Sequence, residues 1–279
     1  MACEKTDILM ITYNRPDYTR RTLPRLLETC DEHTRVWLWH NGNDQETLEI
    51  VRQLSTHPRV ARFHHSPENR KLNDATNWMW ENSDGDLLGK VDDDCLMPPG
   101  WVERLRDAHR AVACLGVVGC WHFVPEDVVP ELVARKLRRF AGGHEVMVNC
   151  WVGGSGYLLK RECVRQQGLL SPGSNFSAYC VALAARGWIN GWYHPFIYQQ
   201  HLDDPRVPGT GLANQAEFER RFPLTAATFR CRTLDEWRES LHEDALLVQK
   251  ASVDPFDHMP QRSRLARLVG RLRAVFRWC

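Results

Sequence analysis

The sequence predicts an α/β protein with a mainly parallel sheet flanked by helices, and three observations predict it. Short β-rich apolar runs alternate with helical patterns as far as Trp101, the rhythm of strand–helix–strand units. Polar loops, Tyr13–Arg15, His40–Asp44 and Asp92–Asp94, come after three of the runs, and in a parallel sheet such loops gather at the carboxyl edge, where ligands bind. The run Leu87, Leu88, Val91 is long enough for one buried strand and ends at once in three carboxylates, Asp92, Asp93 and Asp94.

Asp7–Thr12 (DILMIT) reads as the first strand, stopped by Tyr13-Asn14-Arg15-Pro16. Pro16 bars its predecessor from helix and suits a first helical turn, so a helix is expected over Asp17–Thr29, with Leu23, Leu26 and Leu27 on one face. Val36–Trp39 is the second strand, closed by the turn-forming run His40-Asn41-Gly42-Asn43-Asp44. Helices over Gln45–Leu54 and Asn69–Glu81 bracket a strand over Arg59–His64. Beyond the carboxylates, Pro98-Pro99-Gly100 turns the chain into a helix over Trp101–Ala113, and Leu115–Phe123 is a further strand. Glu126–Phe140 is mixed and basic. Val146–Leu159 holds two apolar runs around Gly153-Gly154-Ser155-Gly156, a break that serves either a close backbone approach to a ligand or a plain bend. Arg161–Gln167 and Ala178–Arg186 read as helices, the second stopped by Gly187, and Trp192–Gln200 as the last strand. Pro205, Pro208, Gly209 and Gly211 make the next stretch a loop over the cleft.

Composition narrows the function class. With 43% hydrophobic and 25% charged residues, the 279-residue chain is that of a globular protein with a proper core. A formal net charge of +1 gives no global attraction to nucleic acid. The first residues, MACEKTDILMITYN, contain no long apolar segment, so neither a signal peptide nor a spanning helix is expected. Ten cysteines without CxxC pairs or zinc spacing read as reduced thiols, which places the protein in the cytoplasm.

Carboxylates crowded at a strand end repel one another unless a cation compensates. Mg²⁺ and Mn²⁺ prefer oxygen ligands and take one or two carboxylates together with substrate phosphates. A metal at Asp92–Asp94 that also engages a diphosphate is therefore one reading; an acidic, solvated turn is the other.

The residues resemble the family 2 glycosyltransferases with the GT-A, Rossmann-like nucleotide-sugar-binding fold, over most of residues 6–205. The resemblance rests on the first strand with its YNRP loop, HNGND after the second strand, VDDDC, GGSGYLLKRE and the terminal strand with His201. It implies a domain over residues 1–210, with a nucleotide-binding half to about residue 100 and an acceptor half beyond. It implies that Thr12, Tyr13 and Arg15 border the base, that Asp92 meets the ribose or the metal, and that Asp93 and Gly154 lie along the donor. Asp94 would coordinate Mn²⁺ or Mg²⁺, with Asp92 and His201 as further ligands, and Arg206 is either a phosphate contact or a surface arginine. The partners implied are a nucleotide-sugar donor, by default a UDP-sugar, and a saccharide, lipid-linked or natural-product acceptor.

Two departures stand out. Where the family usually places an aspartate for uracil, this chain has His40; either Asp44, further along the turn, substitutes for it or the base is not uracil. Where inverting members carry an acid, this chain reads Ser174-Asn175-Phe176-Ser177. A base must still take the acceptor proton, so Asp203 and Asp204 are the candidates, ahead of Glu126-Asp127, which reads as a solvated helix start. The empty position favours an alternative, a nucleotide-sugar or glycan-binding module without catalysis. A nucleotidyltransferase would need a glycine-rich phosphate loop near the N-terminus, and Tyr13–Tyr18 offers none.

Residues 211–279 form an extension that ends in a basic amphipathic helix over 261–279: Leu265, Leu268, Val269, Leu272, Val275 and Phe276 share one face, and arginines surround it. Two roles are open to it, lying in an anionic membrane at the inner face or packing on the body or on a second copy.

Overall fold

The computed structural model describes residues 4–259; the amphipathic segment at 261–279 lies outside the described residues. The first half runs β1 (Thr6–Tyr13), α1 (Pro16–Thr29), β2 (Thr34–Asn41), α2 (Gln45–Leu54), β3 (Val60–Ser66), α3 (Lys71–Asn82) and β4 (Leu87–Asp92). These four strands are parallel, and the register sets Tyr13 beside Asn41 and Ile11 beside Asp92. Pro16 starts α1, whereas Asp44 caps α2 by accepting a hydrogen bond from the Thr47 amide.

The second half adds β5 (Cys95–Leu96), α4 (Trp101–Ala111), β6 (Leu115–Gly119), α5 (Pro130–Lys136), β7 (Leu137–Arg139), β8 (Glu145–Asn149), β9 (Tyr157–Lys160), α6 (Arg161–Gln167), α7 (Phe176–Ala185), β10 (Ile189–His194) and β11 (Gln200–His201). Among the described residues one nine-stranded sheet has the order β3-β2-β1-β4-β9-β6-β10-β8-β7, and β5 and β11 form a separate ribbon. β9 is antiparallel to both β4 and β6, so β4 and β6 run the same way and end at the same edge.

Side chains alternate across β1: Ile8 and Met10 join one core beneath the sheet, while Leu9 and Ile11 join the other. The expected last strand over Trp192–Gln200 is divided. Pro195, with no N–H for the ladder, comes directly after β10, and the chain rejoins regular pairing only at β11 against β5. Glu126–Phe140, read only as mixed and basic, contains α5 and the short edge strand β7.

After the loop beyond Asp203 come α8 (Gln215–Arg221), α9 (Leu224–Phe229) and α10 (Leu234–Lys250). Phe218, Trp237 and Leu241 form a small core of their own, while Ala245 and Val248 enter the larger one with Trp121 and Trp192. No helix among the described residues is long and apolar enough to cross a membrane. Seven cysteines, among them Cys30, Cys95 and Cys120, are buried free thiols.

Candidate functional site

The site is built where β1, β2 and β4 end together. Asp93 is buried and accepts a 3.1 Å hydrogen bond from the Tyr13 amide, which fastens the two strand ends to each other. Burial pushes its carboxyl up to about 8. Asp94 has the opposite surroundings, because its neighbours are cations. Arg15 Nη1 lies 3.1 Å from Asp94 Oδ2, and His201 Nε2 lies 3.7 Å from the same oxygen. Burial alone would raise Asp94, but the charges of His201 and Arg15 hold it well below the usual carboxylate range. For His201, burial is in turn overridden by Asp94, and the imidazole rises to about 9.

Arg15 Nη1 also reaches Asp203 Oδ2 at 3.0 Å, and Tyr18 donates to Asp203 Oδ1 at 2.8 Å. Asp94, His201 and Asp203 thus converge, with one ligand atom from each within 4.8 Å of the others. The ribbon explains the convergence, because His201 pairs with Cys95, the residue after Asp94. Two carboxylate oxygens and an imidazole are a donor set suited to Mn²⁺ or Mg²⁺. The buried Nδ1 of His201 has no hydrogen-bond partner, so the ring is not tied down by one there.

Asp92 stands outside this cluster. Its carboxylate is paired with the buried Lys90, and its amide donates to Ser155 Oγ at 2.9 Å. Neither Lys90 nor Ser155 was singled out from sequence; a lysine inside an otherwise apolar strand just before an acid was the available signal. Asp203, named from sequence for proton transfer, is placed by the fold among the potential metal ligands. Asp204 is 1% exposed, and both its oxygens are held by Arg206, which also donates to Asp127 Oδ1 at 2.8 Å. That settles the position of Arg206 as a buried-acid tie. Glu126 is exposed at the start of a short 3-10 helix over Pro125–Asp127, as expected, whereas Asp127 is 2% exposed and also contacts His242 Nδ1 at 2.7 Å.

A cavity of about 290 Å³ opens beside the acids, lined by Tyr13, Arg15, Asn41, Lys71, Asp92, Asp94 and Leu224. Arg15 also borders a second cavity of about 300 Å³, with Tyr18, Asp203, Arg220 and Arg221. Thr12 and His40 do not line the first one. They are register partners, both buried, and Thr12 Oγ1 lies 2.9 Å from His40 Nδ1. Burial, then His65, lowers His40 to about 4, a neutral ring. Asp44 is spent on its helix cap. Gly154 is exposed, and a Cβ there would meet nothing within 4 Å; the cramped glycines of that loop are Gly153 and Gly156. The acid-free stretch Ser174–Ser177 has a local use, since Asn175 Oδ1 caps α7 by accepting from the Ala178 amide at 2.7 Å.

His122, just past β6, is half-buried and carries no sequence signal. Its strongest electrostatic neighbours are His201, Asp204 and Asp94, and burial, then His201, lowers it to about 3.

The description "Glycosyl transferase family 2" matches residues 7–161. Among solved structures, a mannosyltransferase from Pyrobaculum calidifontis, PcManGT, in complex with GDP-Man and Mn²⁺, is 18% identical, with a TM-score of 0.59 over 99% of this chain and 81% of that one. GalNAc-T7 with UDP, GalNAc and Mn²⁺ is 12% identical, with a TM-score of 0.57 over 71% of this chain and 44% of that one. No curated protein matches the sequence. Both structural neighbours are GT-A glycosyltransferases, and the mixed sheet with its flanking helices is the GT-A fold. The family match spans more than half of the 279 residues, and the chain belongs to glycosyltransferase family 2.

Proposed function

We propose that the protein moves a sugar from a nucleotide-diphosphate donor to an acceptor hydroxyl, with inversion at the anomeric carbon and dependence on Mn²⁺ or Mg²⁺. The observation that carries the reading is the convergence of Asp94, His201 and Asp203 beside a cavity at the end of β4. In this reading Asp94, His201 and Asp203 hold the cation, which when bound stabilises the charge left on the departing diphosphate as a Lewis acid. Asp92, fixed by Lys90 and Ser155, meets the donor ribose, and Tyr13, Asn41 and Lys71 border the nucleotide. With a cation held there, Arg15 would no longer be needed to balance Asp94 and Asp203, and its planar guanidinium would suit the donor phosphates. Because His40 is enclosed with Thr12, recognition of the base falls to other residues of the cleft. Residues 1–100 form the nucleotide half and 101–210 the acceptor half, and the extension from 211 closes the cleft through Leu224. The protein works in the cytoplasm, on a saccharide, natural-product or lipid-linked acceptor.

Thermal unfolding tests the reading, with UDP, GDP and their sugars in the presence of Mn²⁺, Mg²⁺ or chelator. A ligand that binds only the folded state raises the melting temperature. The expected result is a metal-dependent rise with one nucleotide, absent in Asp94→Ala. No rise with any nucleotide under any metal would overturn the proposal. The Asn175 cap in place of an acid favours a second reading, a donor-binding module without turnover. Release of nucleoside diphosphate separates the two.

A further inference from the structure

We infer that the side-chain amide of Asn41 selects the nucleobase of the donor by its keto oxygen, the one at C4 of uracil or at C6 of guanine. The inference deepens the transferase reading above and rests on it. Asn41 ends β2 and is 2% exposed. Its Oδ1 accepts from Trp39 Nε1 at 2.8 Å and from the Arg70 amide at 3.2 Å. Both partners can only donate, so the oxygen has to face them, and the Nδ2 end of the planar amide is turned the other way. Among the described residues nothing accepts from Nδ2, yet it is not sealed from solvent. The space it opens on is the cavity of about 290 Å³ beside the acids, which Asn41 lines.

That cavity has two ends. β2 and β4 flank β1, so Asn41 and Asp92 stand two strand spacings apart, about 10 Å, and both line it. A nucleoside diphosphate with its phosphates at the metal cluster therefore brings its base to Asn41. Leu72 and Leu224, 52% and 60% exposed, border the same cavity and offer apolar cover to a flat ring. The polar side chains at this end are donors. Asn69 turns its Oδ1 to the Lys71 amide at 3.0 Å, which leaves its Nδ2, and Lys71 has only an ammonium to give. The carboxylates of the lining, Asp92 to Asp94, belong to the other end, and Asp44 caps α2. Uracil and cytosine differ at C4, an oxygen in one and an amino group in the other, and guanine and adenine differ in the same way at C6. Against the keto base Nδ2 makes a hydrogen bond. Against the amino base two donors face each other and both go unpaired.

The test measures the Kd of UDP, CDP, GDP and ADP for the full chain with Mn²⁺ by calorimetry. UDP should bind about 10–100-fold more tightly than CDP, and GDP than ADP, which is what an unpaired buried donor costs. The comparison is made within each ring size, so a cavity that admits only pyrimidines or only purines still gives one ratio. Asn41→Asp keeps an oxygen for Trp39 and Arg70 and turns the atom facing the cavity from donor to acceptor. It should lower the keto-to-amino ratio by about tenfold or more. 4-Thio-UDP and 6-thio-GDP, whose sulfur accepts weakly, should bind the wild type several-fold less well than UDP and GDP, a comparison that needs no variant to fold. A wild type that takes the amino base as tightly as the keto base, or a folded Asn41→Asp protein that keeps the wild-type ratio, overturns the assignment and leaves the transferase reading standing. No binding by any of the four nucleotides removes both.

Discussion

Arg15 and His201 together face the acids of the site, and Arg15 bridges two of them. Arg15 Nη1 sits between Asp94 and Asp203 with its side chain 18% exposed, the place a divalent cation would otherwise neutralise. Removing one partner of a largely buried charge pair is costly because the other is left uncompensated. Arg15→Gln should therefore lower the unfolding free energy in chelator by about 3 kcal/mol. It should also tighten Mn²⁺ binding, since the ion no longer has to displace an arginine. Urea unfolding and Mn²⁺ titration monitored by electron paramagnetic resonance read the two effects; weaker Mn²⁺ binding would show that Arg15 supports the ion instead. His109 contributes to acid sensitivity, alongside His40 and His122. It is 1% exposed, Nε2 donates to the Leu158 carbonyl at 3.1 Å, and burial, then Lys160, lowers it from 6.5 to about 3. Between those values the unfolded chain binds a proton that the folded one does not. Its contribution to stability is thus full above pH 6.5 and is lost as pH falls toward 3, by up to about 1.4 kcal/mol per pH unit. His109→Gln keeps a donor for Leu158 and removes the proton, so stability should depend less steeply on pH between 4 and 6. An unchanged slope in urea midpoints would assign the acid sensitivity elsewhere.

Elements are joined by a few polar ties that apolar periodicity does not reveal. Asp7, 0% exposed on β1, accepts from Arg35 Nε and Nη2 and Trp37 Nε1 on β2, each at 2.8 Å, and from the Gly85 amide before β4 at 2.7 Å. Asp7→Ala leaves the Trp37 indole and the Gly85 amide without this acceptor, while the 37%-exposed Arg35 keeps Asp84, and should cost about 2–4 kcal/mol in urea unfolding. A loss below about 1 kcal/mol would mean the strands are held by their apolar faces alone. Local signals decided which elements were legible. α2 and α6 match their predicted bounds because their ends carry such signals, Asp44 before one and Gly168 after the other. α10 was missed although Thr233 and Glu236 spell a capping box. Its ties to the body are polar as much as apolar, Gln249 donating to the Asp127 carbonyl and Trp237 to the Asp203 carbonyl.

At the scale of the whole molecule, the edge at which ligands gather was readable, since strands and their loops are sequential there. Which acids converge was not. Asp203 joins Asp94 only because the ribbon of β5 and β11 folds residue 201 back onto residue 95, a contact no local pattern encodes. Nor could sequence show that the segment beyond 210 completes the body. Trp237 Nε1 donates to the Asp203 carbonyl at 2.7 Å, and the buried Lys136 gives its protons to Asn149 and to the carbonyls of Val248 and Ala251. A chain ended at residue 210 strips Lys136 of two of three acceptors and uncovers the apolar surface under α10. It should lose its cooperative thermal transition, whereas a chain ended at Met259 should keep one close to that of the full chain. The second truncation also removes the arginine-rich segment at 261–279, in which apolar residues recur at helical spacing and no acid occurs, a pattern suited to an anionic surface or to packing on a partner. Full-length protein should sediment with phosphatidylglycerol vesicles and the chain ended at Met259 should not, with the difference shrinking at high salt as charge attraction is screened. Equal sedimentation of the two would take the membrane away from this segment, and with it the main reason to place the acceptor on a lipid.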